Sequence, residues 1–234
     1  MPKDFEIRKE VALPATPEQV WHAIATGEGQ AAWFMPVPID PDSPMVTAWV
    51  PGERLLVEMP GGDDGSFQAF EYLIEARDGG TAVLRFVHRG FLGDDWSDEF
   101  EAMTSRGWDM YFATLVEYLT HFAGRPAAYV EAEGPAASAS PEAWPALLGA
   151  LGPGPSITVG DEVHLSLDGS FAIDGVVDYV TASFVGVRTA DALIRFHGRW
   201  LIHAAVAVSH HAFGPFDPAD AAKTWTAWLA GVFA

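Results

Sequence analysis

From residue 4 to residue 13 the chain alternates: Phe5, Ile7 and Lys9 fall on one side and Glu6, Arg8 and Glu10 on the other, the two-residue period of a half-buried strand. Pro14 stops it. Thr16 then reads as a helix N-cap, followed by Pro17 in the first turn and by Glu18 where the positive end of the helix dipole favours an anion. Val20, Trp21 and Ile24 form the buried stripe of a short helix, which Gly27 and Gly29 break, and residues 30–34 predict a second short turn carrying Trp33 and Phe34. Strand-like runs follow at 46–50, 54–59, 67–76 and 81–91. Pro51-Gly52, residues 61–65 and Asp78-Gly79-Gly80 separate them, and Gly and Asp tolerate the positive φ of tight hairpin turns. After an acidic loop at 94–98, residues 99–123 place Met103, Trp108, Tyr111, Phe112, Leu115, Leu119 and Phe122 at helical spacing. At ~1.5 Å per residue that helix spans roughly 35 Å, enough to lie across a sheet.

Gly124-Arg125-Pro126 ends the long helix and sets a boundary near 126, giving domains 1–126 and 127–234. The second half predicts a strand at 127–133, a small-residue connector at 133–140, and a helix at 144–151 entered through Ser140-Pro141-Glu142, with Pro145 tolerated in its first turns. Gly152-Pro153-Gly154-Pro155 closes that helix. Strand-like runs at 156–167, 171–187, 192–196 and 200–213 precede a terminal helix with Ala221, Trp225, Trp228, Leu229 and Phe233. One order of elements is therefore written twice. Thr16-Pro17-Glu18 matches Ser140-Pro141-Glu142, and Val83 to Phe91, containing His88, matches Val206 to Phe213, containing His210; each leads into a Trp-bearing helix. The interval from Pro17 to Gly52 is longer than that from Pro141 to Gly160, so the second copy is expected to lack a short helix and the first hairpin. Its later strands are expected to be longer or more numerous, because Gly160 to His210 exceeds Gly52 to His88.

Composition narrows the function. With 49% hydrophobic and 12% aromatic residues the chain can build real cores. It has no cysteine, which removes disulfides, thiolate metal ligands and cysteine nucleophiles together. Acids outnumber bases in both halves for a net charge of −19, and this argues against nucleic acid or an anionic membrane as partner, since both are held by Lys and Arg. No run is long and apolar enough for membrane insertion, and the first residues lack the basic-then-apolar pattern of a secretion signal, so a cytoplasmic location is expected.

The strand at 5–13, the Thr16-Pro17-Glu18-Gln19-Val20-Trp21 entry, Trp33-Phe34, Pro51-Gly52-Glu53-Arg54-Leu55, Gly80-Thr81-Ala82-Val83-Leu84 with His88 to Phe91, and Gly107-Trp108 with Leu115, Tyr118 and Leu119 occur in a recognisable order. Over about residues 4–122 the chain resembles the SRPBCC or START-like helix-grip superfamily, and within it the branch of heat-shock-protein ATPase activator homologues. The resemblance implies an α+β fold: an antiparallel sheet wrapped around a long C-terminal helix, with an apolar cavity between them, followed here by a reduced second α+β module. The walls it would use are Trp33, Phe34, Trp49, Phe70, Tyr72, Phe86, His88, Trp108, Tyr111 and Phe112.

No catalytic set assembles from the sequence. His88, Arg85 and Glu71 are the weak candidates, with Arg85, Val87 and Arg89 on one strand face and Leu84, Phe86 and His88 on the other. His164, His197, His203, His210 and His211 show no recognised metal spacing, and adjacent His210 and His211 point to opposite faces of a strand, so neither metal nor cofactor is expected. The leading expectation is non-catalytic binding of a small hydrophobic or amphipathic molecule. A cyclase or hydratase acting on a hydrophobic substrate and a chaperone-associated interaction protein are the alternatives. Trp225, Trp228 and Phe233 are candidates for packing between modules or between subunits of a homo-oligomer.

Overall fold

The computed structural model describes residues 3–61, 65–92, 99–167 and 172–234; the acidic loop at 94–98, residues 62–64 of the expected turn and Phe171 lie outside them. The chain divides into two compact units, Met1–Gly124 and Arg125–Ala234.

Unit 1 runs β1 (Lys3–Leu13), α1 (Pro17–Ala25), α2 (Gly27–Ala31), β2 (Val46–Val50), β3 (Arg54–Pro60), β4 (Phe67–Arg77), β5 (Thr81–Leu92) and α3 (Phe100–His121). Thr16 opens α1 through a reciprocal pair: its Oγ1 accepts the Gln19 amide N–H at 3.4 Å, and Gln19 Oε1 accepts the Thr16 amide N–H at 2.9 Å. Two of the otherwise orphaned amides are satisfied this way, and Pro17 needs no partner. Thr26 works on both sides of the break that follows. Its hydroxyl donates to the His22 carbonyl at 2.8 Å and accepts the Gly29 amide at 2.9 Å, ending one helix and starting the next.

The five strands lie in the order β1-β5-β4-β3-β2, all neighbours antiparallel. The first strand thus pairs with the last, Lys3 opposite Leu92 through Leu13 opposite Ala82. Gly79 and Gly80 make the β4–β5 turn with φ of +78° and +75°, a conformation that costs other residues a Cβ clash. Along β5 burial alternates strictly, with Ala82, Leu84, Phe86 and His88 buried and the residues between them half-buried. Against that buried face packs α3, whose Trp108 ring lies 4.3 Å and Phe112 ring 5.1 Å from the ring of Phe86. Each such ring, moved from water into the core, stabilises the unit by about 2–3 kcal/mol before entropy is subtracted. Lys9 fastens β1 to the helix, reaching Asp109 at 2.6 Å and Ser105 at 2.9 Å.

Unit 2 runs β6 (Ala128–Glu133), α4 (Ala143–Ala150), β7 (Glu162–Ser166), β8 (Ala172–Val180), β9 (Phe184–Arg188), β10 (Ala192–His197), β11 (Ala207–Ala212) and α5 (Pro218–Val232). Its sheet has the order β6-β11-β10-β9-β8-β7 and is antiparallel throughout, so here too the first strand pairs with the last. Trp144, Leu147, Val163, Val185, Ile194, Phe196, Val208, Trp225 and Leu229 belong to one buried core. The protein is therefore α+β with two antiparallel sheets.

Several expectations for this half need correction. The stretch 171–187 is two strands, because Thr181 Oγ1 accepts the amides of Ser183 at 3.3 Å and Phe184 at 3.1 Å and turns the chain. The stretch 200–213 starts as a 3-10 turn at Trp200–Ile202; His203 then takes a left-handed φ of 53°, and the strand begins only at Ala207. The stretch 156–167 is strand only from Glu162, after a 3-10 turn at Gly154–Ser156. The unequal intervals are matched by the elements: among the described residues no strand lies between Pro141 and Gly160, and five strands, β7 to β11, follow Gly160 where three, β3 to β5, follow Gly52.

Candidate functional site

On the buried face of the unit 1 sheet, strand alternation and helix periodicity deliver aromatic rings to one place. Phe70 and Tyr72 come from β4, Phe86 and His88 from β5, Trp33 and Phe34 from the turn after α2, and Trp108, Tyr111 and Phe112 from α3. They stack in series: Trp33 on Phe112 at 5.9 Å, Trp108 on Phe112 at 5.5 Å, Phe34 on Trp108 at 5.5 Å, and Tyr111 edge-on to Phe34 at 4.6 Å. Burial divides the group. Trp33, Tyr72, Phe86, Trp108 and Phe112 are buried and form a floor, whereas Phe34, Phe70 and Tyr111 are half-buried and stand at its edge. Trp49 does not join them; it lies on β2 and meets Trp21 edge-on at 5.0 Å.

His88 is the polar centre of this cluster. Its Nδ1 accepts the Trp108 indole N–H at 3.1 Å, so the proton sits on Nε2, which lies 2.9 Å from Gln68 Oε1. Phe70 stacks on the imidazole at 4.3 Å and Phe5 meets it edge-on at 4.9 Å. Burial among these rings lowers the His88 pKa to about 4, because a charged imidazolium has lost its water there. Near neutral pH the ring is uncharged, with its one lone pair already taken by Trp108. Tyr72, buried beside Phe86 at 4.9 Å, has its phenol pushed upward by the same desolvation and stays protonated.

Arg85 and Glu71 are not with His88. They lie on the opposite face of the sheet in ion pairs, Arg85 with Glu10 at 2.8 Å and with Glu75, and Glu71 with Arg54 at 2.7 Å. The strand alternation that carries His88 inward necessarily turns Arg85 outward. Gln68 and Phe5, both in direct contact with His88, were absent from the sequence-based selection. Period-two spacing from Phe70 and Ile7 could have found them. Among the described residues no group of three or more His, Asp or Glu side chains is arranged to hold a metal ion, and no helix is long and apolar enough to cross a membrane.

The same pairing of strand histidine with helix indole occurs in unit 2. His210 on β11 accepts the Trp225 indole N–H from α5 on its Nδ1 at 3.1 Å, and burial lowers its pKa to about 4. On the other face of that sheet, Arg195 makes two 3.0 Å bonds to the Asp178 carboxylate, both side chains almost fully buried. His197 lies near them at register Phe184, its Nε2 2.9 Å from Ser209 Oγ. Burial and the positive charges of Arg199 and Arg195 lower its pKa to about 3.

No protein-family model matches the sequence, and no curated protein matches it. Solved structures are similar to it at low identity. The Aha1 dimer from Colwellia psychrerythraea is 18% identical over 49% of this chain and 96% of its own, with a TM-score of 0.38. MLL2253 from Mesorhizobium loti is 18% identical over 50% of this chain and 98% of its own, with a TM-score of 0.43. DynU16, a protein of the dynemicin biosynthetic locus, is 15% identical over 96% of both chains, with a TM-score of 0.40.

Proposed function

We propose that unit 1 is a helix-grip receptor that binds a small hydrophobic or amphipathic molecule without transforming it. The observation that carries this reading is the half-buried triad Phe34, Phe70 and Tyr111 standing over a buried aromatic floor. Partly exposed rings backed by a rigid apolar layer offer a ligand contact area at little entropic cost. His88 supports a binding role over a catalytic one: its lone pair is occupied, its charge is suppressed, and Arg85 and Glu71 are on the far face. Unit 2 is, in this reading, a divergent second copy of the same fold. The support is the matching strand permutation, first strand against last, and the matching histidine–indole bond between last strand and terminal helix.

Native mass spectrometry of the purified chain, followed by tryptophan-fluorescence titration with a long-chain fatty acid and with a fused-ring aromatic polyketide, tests the proposal. Saturable binding that weakens about tenfold in Phe34→Ala and Tyr111→Ala is expected, the scale of ~1.4 kcal/mol for one lost aromatic contact. Absence of any saturable ligand, or binding indifferent to both substitutions, would remove it.

A further inference from the structure

Unit 2 contains a cavity of about 280 Å³ between β8, the β9–β10 turn, β11 and the segment entering α5; Asp191, Ala192, His210 and Phe216 give it its chemistry. The strand registers explain why there is space here. In unit 1, Phe70 lies opposite His88 and Gln68 opposite Gly90, so Gln68 reaches the outer edge of the imidazole and meets Nε2 at 2.9 Å. In unit 2, Ile194 lies opposite His210 and Ala192 opposite Ala212. Ala192 therefore occupies the register position of Gln68. The side chain that fills the volume beside the histidine in one unit is a methyl group in the other. On the opposite flank the change is similar: Phe5 pairs with Gly90 in unit 1, whereas Ala128 pairs with Ala212 in unit 2.

Charge selects the occupant. Among the described residues of the lining Asp191 supplies the carboxylate, and there is no lysine or arginine. Asp174 follows the inward-facing Ile173 on β8, so its carboxylate turns to the other face of the sheet, where it pairs with His164 at 2.9 Å. Asp191 is held in place by the turn: its Oδ1 accepts the Thr189 hydroxyl at 3.2 Å, its amide donates to Thr189 Oγ1 at 3.2 Å, and its carbonyl accepts the Phe213 amide at 2.7 Å. Its Oδ2 lies over Gly214, where an added Cβ would come within 2.8 Å. Opposite the polar side, the Phe216 ring lies 4.6 Å from the imidazole of His210 and makes an aromatic wall.

We infer that this cavity is a second small-molecule site that takes a compact organic cation, its ammonium on Asp191 and its apolar or aromatic body against Ile173 and Phe216. An ammonium gains there both a fixed carboxylate and an aromatic face, and a neutral molecule of the same shape gains only the apolar contact.

The full chain is titrated at pH 7 with 2-phenylethylamine and with its neutral analogue 2-phenylethanol, followed by calorimetry and by amide chemical shifts of residues 189–192. The amine binds one site at least about tenfold more tightly than the alcohol, and Asp191→Asn removes most of that preference. Ala192→Gln reinstates the side chain found in unit 1 and weakens amine binding by more than about tenfold, with the thermal midpoint at or above that of the parent. Equal affinity for amine and alcohol overturns the cation assignment. Undiminished binding to a folded Ala192→Gln variant, or no shift at residues 189–192, overturns the site.

Discussion

His88, His197 and His210, buried and neutral near pH 7, are expected to make this protein sensitive to mild acid, and the size of the effect follows from their surroundings. His88, His197 and His210 have pKa values lowered to about 4, 3 and 4, each first by burial. In the unfolded chain each would titrate near its ordinary value of ~6.5. A base whose folded pKa is depressed binds more protons unfolded, so stability is intact above ~6.5 and is lost as pH falls from there toward the folded value. For His88, going from pH 7.5 to 5 with a folded pKa of about 4 costs about 2 kcal/mol. His197 and His210 each add a similar amount to unit 2. The indole bonds act in the same direction, since protonating Nδ1 of His88 or His210 would set two N–H donors against each other. Urea unfolding between pH 7.5 and 5 measures the slope of stability on pH. His88→Gln is expected to remove about 2 kcal/mol of the pH dependence of unit 1 between pH 7.5 and 5, with the slope falling most near pH 5, by ~1.2 kcal/mol per pH unit, whatever it does to stability at pH 7.5. Histidine ring NMR provides the site-specific check: His88 and His210 should show the Nε2–H tautomer and stay neutral to below pH 5. A ring titrating near 6.5, or an unchanged slope in His88→Gln, would refute the reasoning.

Two other predictions concern stability. Asp178→Ala leaves the Arg195 guanidinium buried without its carboxylate and should destabilise unit 2 by about 3–5 kcal/mol, visible as an early transition in calorimetry; a loss below ~1 kcal/mol would mean that water or another group takes over. Thr16→Ala removes the oxygen that caps α1 and should cost unit 1 about 1 kcal/mol in urea unfolding, with little change at Thr16→Ser.

Of the ten residues expected to wall a cavity, the fold of unit 1 brings nine together. Seven of the nine lie at positions whose face is set by a local period, two along β4 and β5 and about 3.6 along α3, and the turn after α2 delivers Trp33 and Phe34. Trp49 separates from them because its strand is the far edge of the sheet, and strand order is not written in the alternation of a single strand. Gln68 escaped notice for a related reason. A glutamine between two phenylalanines carries no sign of its role until β4 is set against β5 in register.

Local chemistry along the chain was sufficient to mark the unit 1 strands, the Thr16 cap, the long Trp108 helix and the inward face of His88, since all depend on interactions a few residues apart. Unit 2 was harder. Its apolar runs at 171–187 and 200–213 read as continuous strands because the breaks at Thr181 and His203 rest on one hydroxyl and one left-handed residue. Only the folded chain decides that His88 is sealed by Gln68 while His210 borders a cavity, that Arg85 faces away from His88, and that Asp178 meets Arg195. Those facts turn on which strand lies beside which and in what register, and cross-strand partners far apart in sequence leave no local period to read.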